Sequence, residues 1–529
     1  MNVLLNIEEQ SRIPVFRQIM DQLIRLMDTG SLRPGARLPS SRRLAECLSV
    51  NRSTVYRAYQ ELWSLGYLES RPGSYSTVRR RPRAAAGSPD PGPGLIDWSR
   101  RATPTCEALY AAHGREEAIL RRAAGKDVIN FVPLSPDSRL FPMDAFRRCM
   151  NHALRHEGPA LLQYGTPPGY GPLRQFIAER MRLHGVAVTA EEILITTGAQ
   201  NAIERLLRLL AAPGAALACE SPTYSRAMDI FRLAGARIVG VPMTGAGMDL
   251  DALEQVIRRD APALVYTIPN FHNPTGITTD QAHRERLLAI CEGHRIPLVE
   301  DGFEEEMKYF GKTVLPIKSM DQHGVVIYLG TFSKILFPGL RIGWIAADRR
   351  CIDRLAPIQK ALILSGNLLD QAALHRFCRM GYYDLHINRM HRIYRRRMQT
   401  ALGALKTRLT DDRIHWSEPA GGYTIWVRLQ DLAAAEEEIV DRLVAHGVMV
   451  LPGSFHFHGA ADGVYFRLSI AHLDEAAITE GIRRLAAGLD TLYRQSGSGD
   501  RRFTPSPIRT IPRGRPWPER SSVSSKGMT

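Results

Sequence analysis

The sequence predicts two folded units, a small N-terminal winged helix-turn-helix and a larger α/β unit built on a mostly parallel sheet. Three observations lead there. Within the first 78 residues, apolar positions recur at helical spacing and are punctuated by Gly, Pro and capping residues. Between about residues 130 and 489, β-branched apolar runs alternate with helical ones. Between the two lies a stretch of Arg, Pro and Gly with too little apolar side chain to bury. A chain of 529 residues also exceeds what one hydrophobic core ordinarily serves.

In the first unit, Phe16, Ile19, Met20, Leu23 and Met27 mark one amphipathic helix, ended by Gly30, Pro34 and Gly35. Pro39-Ser40-Ser41 opens a second helix through Leu48, capped by Ser40 or Ser41. Asn51 caps a third, from Arg52 to about Leu65, after a three-residue turn. The third helix presents Arg52, Ser53, Thr54 and Arg57 from its first turns, where a recognition helix meets base edges and phosphates. Residues 66–70 and 75–78, flanking Arg71-Pro72-Gly73-Ser74, read as a β-hairpin, hence a wing.

Charge follows this division. Residues 1–83 hold fourteen Lys/Arg against seven Asp/Glu, and residues 496–529 seven against two, so only +3 of the net +15 remains for the 412 residues between. Positive charge concentrated in a short N-terminal piece is the footprint of a nucleic-acid binder, since phosphate neutralisation supplies the sequence-independent affinity. The domain boundaries read from sequence are 1–78, a basic linker over 79–128 in which Glu107 to Ala124 has helical character, the α/β unit over 129–492, and a disordered basic tail over 493–529. Seven scattered cysteines offer no zinc-ligand spacing, so no metal site and no disulfide framework is expected. No stretch approaches 18 apolar residues and no signal peptide is evident, which predicts a cytoplasmic chain without a membrane partner.

In the α/β unit, strands are predicted at 193–197, 216–219, 238–241, 263–267, 297–299, 325–329 and 344–347. Ligands of such sheets sit at the carboxyl ends of the strands, where the unusual residues cluster. The first of these strands ends in Gly198-Ala199-Gln200 and a helix, which offers free backbone N–H groups to a phosphate. Further on come Tyr224, Asn273, Asp301, and then Thr331-Phe332-Ser333-Lys334 with Arg341 seven residues beyond the lysine. An acid at a strand end, a lysine among hydroxyls and a following arginine are what pyridoxal phosphate needs. Lys334 forms an imine with its aldehyde. Asp301 keeps the pyridine nitrogen protonated, so that the ring stays an electron sink. Arg341, Ser333, Thr331 and the Ala199/Gln200 region hold the phosphate, Tyr224 stacks on the ring, and Asn273 donates to the ring oxygen.

The run LPSSRRLAECLSVNRSTVYRAYQELWSLGYLESRPGS resembles the winged-helix domain of GntR-type transcription regulators. The resemblance implies Ser41, Arg42, Arg52, Ser53, Thr54, Arg57, Arg71 and Gly73 as contacts to double-stranded DNA. A second wing glycine usual in that family is replaced by Tyr75. Residues 130–490 resemble the fold type I aminotransferases, extended by YGTPPGYGPLRQFIAERM, EPAGGYTIWVRL and YFRLSIAHLDEAAITEGIRRLA, and imply a smaller C-terminal subdomain. That likeness implies that Tyr164 reaches the cofactor phosphate of a partner subunit and that Arg467 clamps a substrate carboxylate. Two positions after the aspartate the family commonly has tyrosine, whereas Phe303 cannot donate to the ring oxygen, which alters the imine pKa while Asn273 limits the damage.

The combination resembles the MocR-type regulators within the GntR family. It implies a homodimer, often head-to-tail, in which an amino acid, an amine or pyridoxal phosphate itself acts as effector through the Lys334 imine. A working aminotransferase with a DNA-binding appendage is the alternative, because Lys334, Asp301, Asn273 and Arg467 leave the catalytic set complete.

Overall fold

The computed structural model describes residues 5–8, 11–69, 75–79, 95–124, 127–432, 434–461 and 463–496. They fall into two compact units, Met1–Arg101 and Ala102–Thr529.

Up to residue 79 the first unit is three helices and a short ribbon, α1 (Val15–Asp28), α2 (Ser41–Leu48), α3 (Arg52–Ser64), β1 (Leu68–Glu69) and β2 (Thr77–Val78), and a one-turn helix, Trp98–Arg101, ends it. Both reading-head helices start on side-chain caps. Ser40 accepts from the Arg43 N–H at 3.3 Å and Asn51 from the Ser53 N–H at 2.9 Å. Between them Ser49 ends α2 in the left-handed region at φ +52°. Ile19, Leu23, Leu44, Val55, Leu62, Leu68 and Val78 close one small core, and the Tyr59 hydroxyl donates to the Pro39 carbonyl at 2.9 Å, tying α3 to the start of α2. β1 and β2 pair antiparallel, as a wing requires, while the tip with Arg71 and Gly73 lies outside the described residues.

The second unit opens with α4 (Pro104–Arg121), capped by Thr103. The linker expected over 79–128 is therefore shorter than its composition suggested. Ile119 of α4 is buried against Val440, Val444 and Met449, and Glu116 makes a two-pronged ion pair with Arg226. Residues 80–94 of that linker and residues 497–529 of the expected tail lie outside the described residues.

An eight-stranded sheet carries the site. In chain order its strands are β3 (Ile193–Thr196), β4 (Ala216–Ser221), β5 (Arg237–Thr244), β6 (Gly247–Met248), β7 (Leu264–Thr267), β8 (Leu298–Asp301), β9 (Val326–Thr331) and β10 (Gly343–Ala346). In space the order is β3-β10-β9-β8-β7-β4-β5-β6. Strands β9, β8, β7, β4 and β5 run parallel, and β10 runs antiparallel to both of its neighbours. Both faces are covered, and alternate residues feed different cores, as a period of two dictates. Leu217 and Cys219 join Ile203, Leu207 and Phe231, whereas Ala216 and Ala218 join Leu253, Ile257 and Leu287. All seven strands read from the sequence are present.

A second, four-stranded antiparallel sheet forms the smaller C-terminal part: β11 (Ile414–Trp416), β12 (Thr424–Leu429), β13 (Leu451–Pro452) and β14 (Val464–Ser469), in the order β11-β12-β14-β13.

Candidate functional site

The ends of β3, β4, β7, β8 and β9 and the start of the antiparallel β10 meet at one edge of the large sheet. There Ala199, Gln200, Tyr224, Asn273, Asp301, Thr331, Ser333, Lys334 and Arg341 line a single cavity of about 640 Å³, part of it open to solvent. Every cofactor residue expected from the sequence is in that wall except Tyr164, which is 81% exposed. Leu134, Ile268, Phe303 and Pro338 complete the lining.

Each polar residue is held by a specific contact. The Lys334 Nζ donates to the Leu134 carbonyl at 2.8 Å, and the Tyr423 hydroxyl donates to the Lys334 carbonyl at 2.8 Å. Burial lowers the lysine's pKa, which enriches the neutral, nucleophilic amine. Asp301 is the last residue of β8, and its Oδ2 accepts from the Tyr266 hydroxyl at 2.6 Å. Its Oδ1 is buried without a partner among the described residues, and burial pushes the carboxyl up to about 6. Arg341 sits in the left-handed region at φ +50° and donates to the Thr197 carbonyl at 3.0 Å. Gly198, at φ +98°, leaves the space this guanidinium needs, since a Cβ there would lie 2.7 Å from the arginine Nη2. The Ser333 Oγ is buried and has no partner among the described residues, whereas the Thr331 hydroxyl is engaged with the Ile342 carbonyl and the Ser333 N–H.

Arg467 stands on β14 and is buried. It donates to the Asn273 Oδ1 at 3.0 Å and to the Val132 carbonyl at 2.8 Å, while its Nε has no partner among the described residues. The bond fixes the Asn273 amide with its nitrogen turned away from the arginine. Burial lowers the Arg467 pKa to about 10. Tyr224 stands at the residue before the helix α6 (Ser225–Leu233), which follows α5 (Ala199–Leu210) in the wall; burial pushes its phenol up to about 12.

Sequence reasoning missed Leu134, Tyr266, Thr223 and Glu304. Leu134 acts through its carbonyl, which any residue possesses. Tyr266 looks like one more aromatic in an apolar strand. The Thr223 hydroxyl is buried and lacks a partner among the described residues, and the Glu304 carboxylate is buried with the Tyr423 N–H beside it.

In the first unit, Arg42, Arg52, Ser53 and Arg57 are exposed, and Ser41 and Thr54 half-buried. Arg42 pairs loosely with Glu46 at 3.6 Å, and the Ser53 hydroxyl donates to Asn51 at 2.8 Å. The Arg57 guanidinium lies 4.1 Å from the centre of the Phe16 ring, so it braces α3 on α1. Tyr75 is exposed beside the Arg37 guanidinium.

A winged reading head and, in the same chain, a pocket with a lysine, a strand-end aspartate and an arginine cradle define a cofactor-bearing DNA-binding class. Comparison with known proteins agrees. The family model for aminotransferase class I and II matches residues 135–485, and the one for bacterial regulatory proteins of the gntR family matches residues 16–78. The probable rhizopine catabolism regulatory protein MocR of Rhizobium meliloti is 31% identical over 91% of this chain and 95% of its own length. Aromatic-amino-acid aminotransferase 1 of Thermococcus litoralis is 33% identical over 74% of this chain and 94% of its own. The crystal structure of the α-aminoadipate aminotransferase LysN from Thermus thermophilus, complexed with N-(5'-phosphopyridoxyl)-L-leucine, superposes with a TM-score of 0.68. It is 32% identical and covers 76% of this chain and all of its own. The chain belongs to the MocR type of gntR-family transcription regulators, whose body is a class I and II aminotransferase domain, and its cofactor is pyridoxal phosphate. Among the described residues no helix is long and apolar enough to cross a membrane.

The pocket fits that cofactor. The orphaned Asp301 Oδ1 suits a protonated ring nitrogen, and the orphaned Ser333 Oγ and the Gly198–Arg341 cradle suit a phosphate.

Proposed function

We propose that DNA binding by this regulator is controlled by an amino acid, an amine or pyridoxal phosphate itself, acting at Lys334. The observation that carries this is the buried, half-satisfied Asp301 in one cavity with Lys334 and Arg341. Lys334 would hold the cofactor covalently, Asp301 its ring nitrogen, and Arg341, Ser333, Thr331 and the Ala199/Gln200 N–H groups its phosphate. Tyr224 would cover the ring and Asn273 would donate to its oxygen. Bound, the cofactor supplies an aldehyde that condenses with amines and a ring that withdraws electrons.

The chain's own residues do the rest. Asp301, largely ionised at neutral pH, supplies the charge that retains a proton on the ring nitrogen. Burial disfavours the Lys334 ammonium and lowers its pKa to about 8, so the neutral amine is far more accessible near neutral pH than in a free lysine. Arg467 binds a carboxylate and orients the ligand's amine, and its tie to Asn273 joins the ligand and cofactor ends of the pocket. Phe303 fills its part of the wall without donating, so ring-oxygen donation falls to Asn273.

Tyr164 is exposed and absent from its own chain's cavity, which supports a homodimer in which it reaches the partner's cofactor phosphate, with a head-to-tail arrangement of the two chains. Arg42, Arg52, Ser53, Thr54 and Arg57 would contact double-stranded DNA, with Ser41 at the start of α2 and Arg71 and Gly73 at the wing tip. A cytoplasmic location accords with such a target. Ligand control requires different affinities for the DNA-competent and DNA-incompetent arrangements, since a ligand that binds both equally shifts nothing.

The same set of Lys334, Asp301, Asn273 and Arg467 favours a second reading, turnover as an aminotransferase. Visible absorbance of the cofactor-loaded protein, titrated with amino acids and amines, separates the two. A band that shifts with one ligand and persists identifies an effector. A band that collapses and returns on adding a keto acid identifies transamination, and no band after adding pyridoxal phosphate overturns both.

A further inference from the structure

α4 is the first helix of the second unit, and its contacts lead to the residues on either side of the ligand. Ile119 forms a small core with Val440, Val444 and Met449, and Val132 and Phe455 pack against that core. Each of these two leads to the pocket. The Val132 carbonyl accepts from the Arg467 Nη2 at 2.8 Å. His456, which follows Phe455, is tied twice to Thr223, which precedes Tyr224. The Thr223 N–H donates to the His456 carbonyl at 2.8 Å, and the His456 Nδ1 donates to the Thr223 carbonyl at 3.0 Å. A third contact runs through α6. The Arg226 guanidinium, two residues past Tyr224, donates to both carboxylate oxygens of Glu116 at 2.7 and 2.6 Å and to the His113 Nε2 at 3.2 Å. Arg122, just past the end of α4, pairs with Asp441 of the helix Glu436–Ala445 at 2.6 Å.

The hold on α4 is slight, which suits it to respond. Ile119 is its single buried side chain, and its charged contacts are part-exposed. Elements held so lightly open locally at a free energy well below that of the whole fold. Arg467, for its part, is buried with an Nε that has no partner among the described residues. A carboxylate that accepts from Nε completes the guanidinium's donors and leaves its bonds to Val132 and Asn273 in place.

We propose that Ile119 and Glu116 are positioning residues, acting through Val132 and Arg226, which set Arg467 and Tyr224 for a carboxylate-bearing ligand, and that α4 docks more firmly when Arg467 holds one. Coupling of this kind is reciprocal, so the factor by which the carboxylate steadies α4 is the factor by which α4 favours the carboxylate. This role rests on the reading of Arg467 as the carboxylate's partner. It makes α4 the body's end of the chain segment that leads to the reading head.

The probe is N-(5'-phosphopyridoxyl)-L-leucine, which joins cofactor and amino acid by a bond that Lys334 cannot exchange. Its control is N-(5'-phosphopyridoxyl)-3-methylbutylamine, the same molecule without the carboxyl. Each is added to full-length protein stripped of cofactor. Hydrogen exchange read by mass spectrometry is slower in α4 by about tenfold with the leucine compound than with the amine compound, while α5, beside the phosphate, is protected equally by both. Ile119→Ala and Glu116→Gln each lower the affinity for the leucine compound by about five- to tenfold and leave that for the amine compound unchanged, whereas Ile119→Val keeps the preference. The glutamine variant, at a part-exposed position, carries the test if circular dichroism shows the alanine variant unfolded. Tighter binding of the leucine compound with equal α4 exchange for both, or folded α4 variants that keep the preference, overturns the coupling and leaves the reading of Arg467 intact. Equal binding of the two compounds by the wild-type chain overturns that reading and the coupling with it.

Discussion

Replacing Asp301 by asparagine is expected to move two properties in opposite directions. In the cofactor-free chain this carboxyl is raised from 3.8 to about 6, burial being the largest cause, with the Tyr266 hydroxyl as its side-chain hydrogen-bond donor. At about 1.4 kcal/mol per pKa unit, that is a penalty of about 3 kcal/mol on the ionised folded state at neutral pH. The folded pKa is the higher one, so the penalty is present in full above about 6 and fades as the pH falls toward 3.8. The amide retains an oxygen for Tyr266 and carries no charge. Allowing about 1–2 kcal/mol for burial of its own polar group, Asp301→Asn stabilises the cofactor-free fold by about 1–2 kcal/mol. The cofactor then loses a hydrogen bond between charged groups, about 1.5–3 kcal/mol, so its Kd rises about ten- to a hundredfold. Chemical denaturation of the cofactor-free protein and equilibrium dialysis with pyridoxal phosphate read the two effects. A variant that is less stable without cofactor, yet binds it as tightly as wild type, refutes the reasoning.

Four further outcomes follow from the same geometry. Lys334→Ala removes the borohydride-trappable adduct while operator affinity stays within about threefold of wild type by fluorescence anisotropy; loss of DNA binding by the folded variant would show that the two units are not independent. Arg52→Ala weakens operator binding by about tenfold, a loss within the range of about 1–3 kcal/mol for one base-reading side chain, and leaves the cofactor spectrum untouched. Gly198→Ala forces a Cβ to 2.7 Å from Arg341 at a positive φ that costs an L-residue about 1–2 kcal/mol, so phosphate-dependent cofactor affinity falls about tenfold or more, measured against phosphate-free pyridoxal as control. Arg467→Met weakens ligands bearing a carboxylate by about ten- to a hundredfold and leaves simple amines nearly unchanged, an absorbance titration being the check.

The sheet was legible because burial on both faces turns each strand into a run of apolar residues, as in Ile193–Thr196 or Val326–Leu329. The reading head was legible because its caps and turns are local chemistry: Ser40 and Asn51 announce the helices they start. Lys334, Asp301 and Arg341, which line one cavity, stood out in the sequence because an imine, a ring-nitrogen charge and a phosphate call for side chains of those kinds. Leu134, Glu304 and Glu116 could not. Leu134 contributes a backbone oxygen 200 residues from the lysine it holds. Glu304 sits in a run of three glutamates whose sequence looks solvated, and only the fold removes it from water. The helical character of 107–124 was legible, but the part Glu116 plays was not, since a helix with one buried apolar residue, Ile119, and charged contacts has the composition of a tether.

The pocket is assembled from the ends of many strands, and this fixes when in the life of the chain it comes into being. Lys334 waits on Leu134, and Arg467 on Val132, contacts separated by 200 and 335 residues. Closing such loops comes late in folding and slows it. All contacts described for the reading head, by contrast, lie within the first 79 residues. During synthesis at about 5–20 residues per second, Arg467 follows Arg79 by roughly 20–80 s. Each new molecule thus carries a complete head for tens of seconds before it owns the means of answering its cofactor.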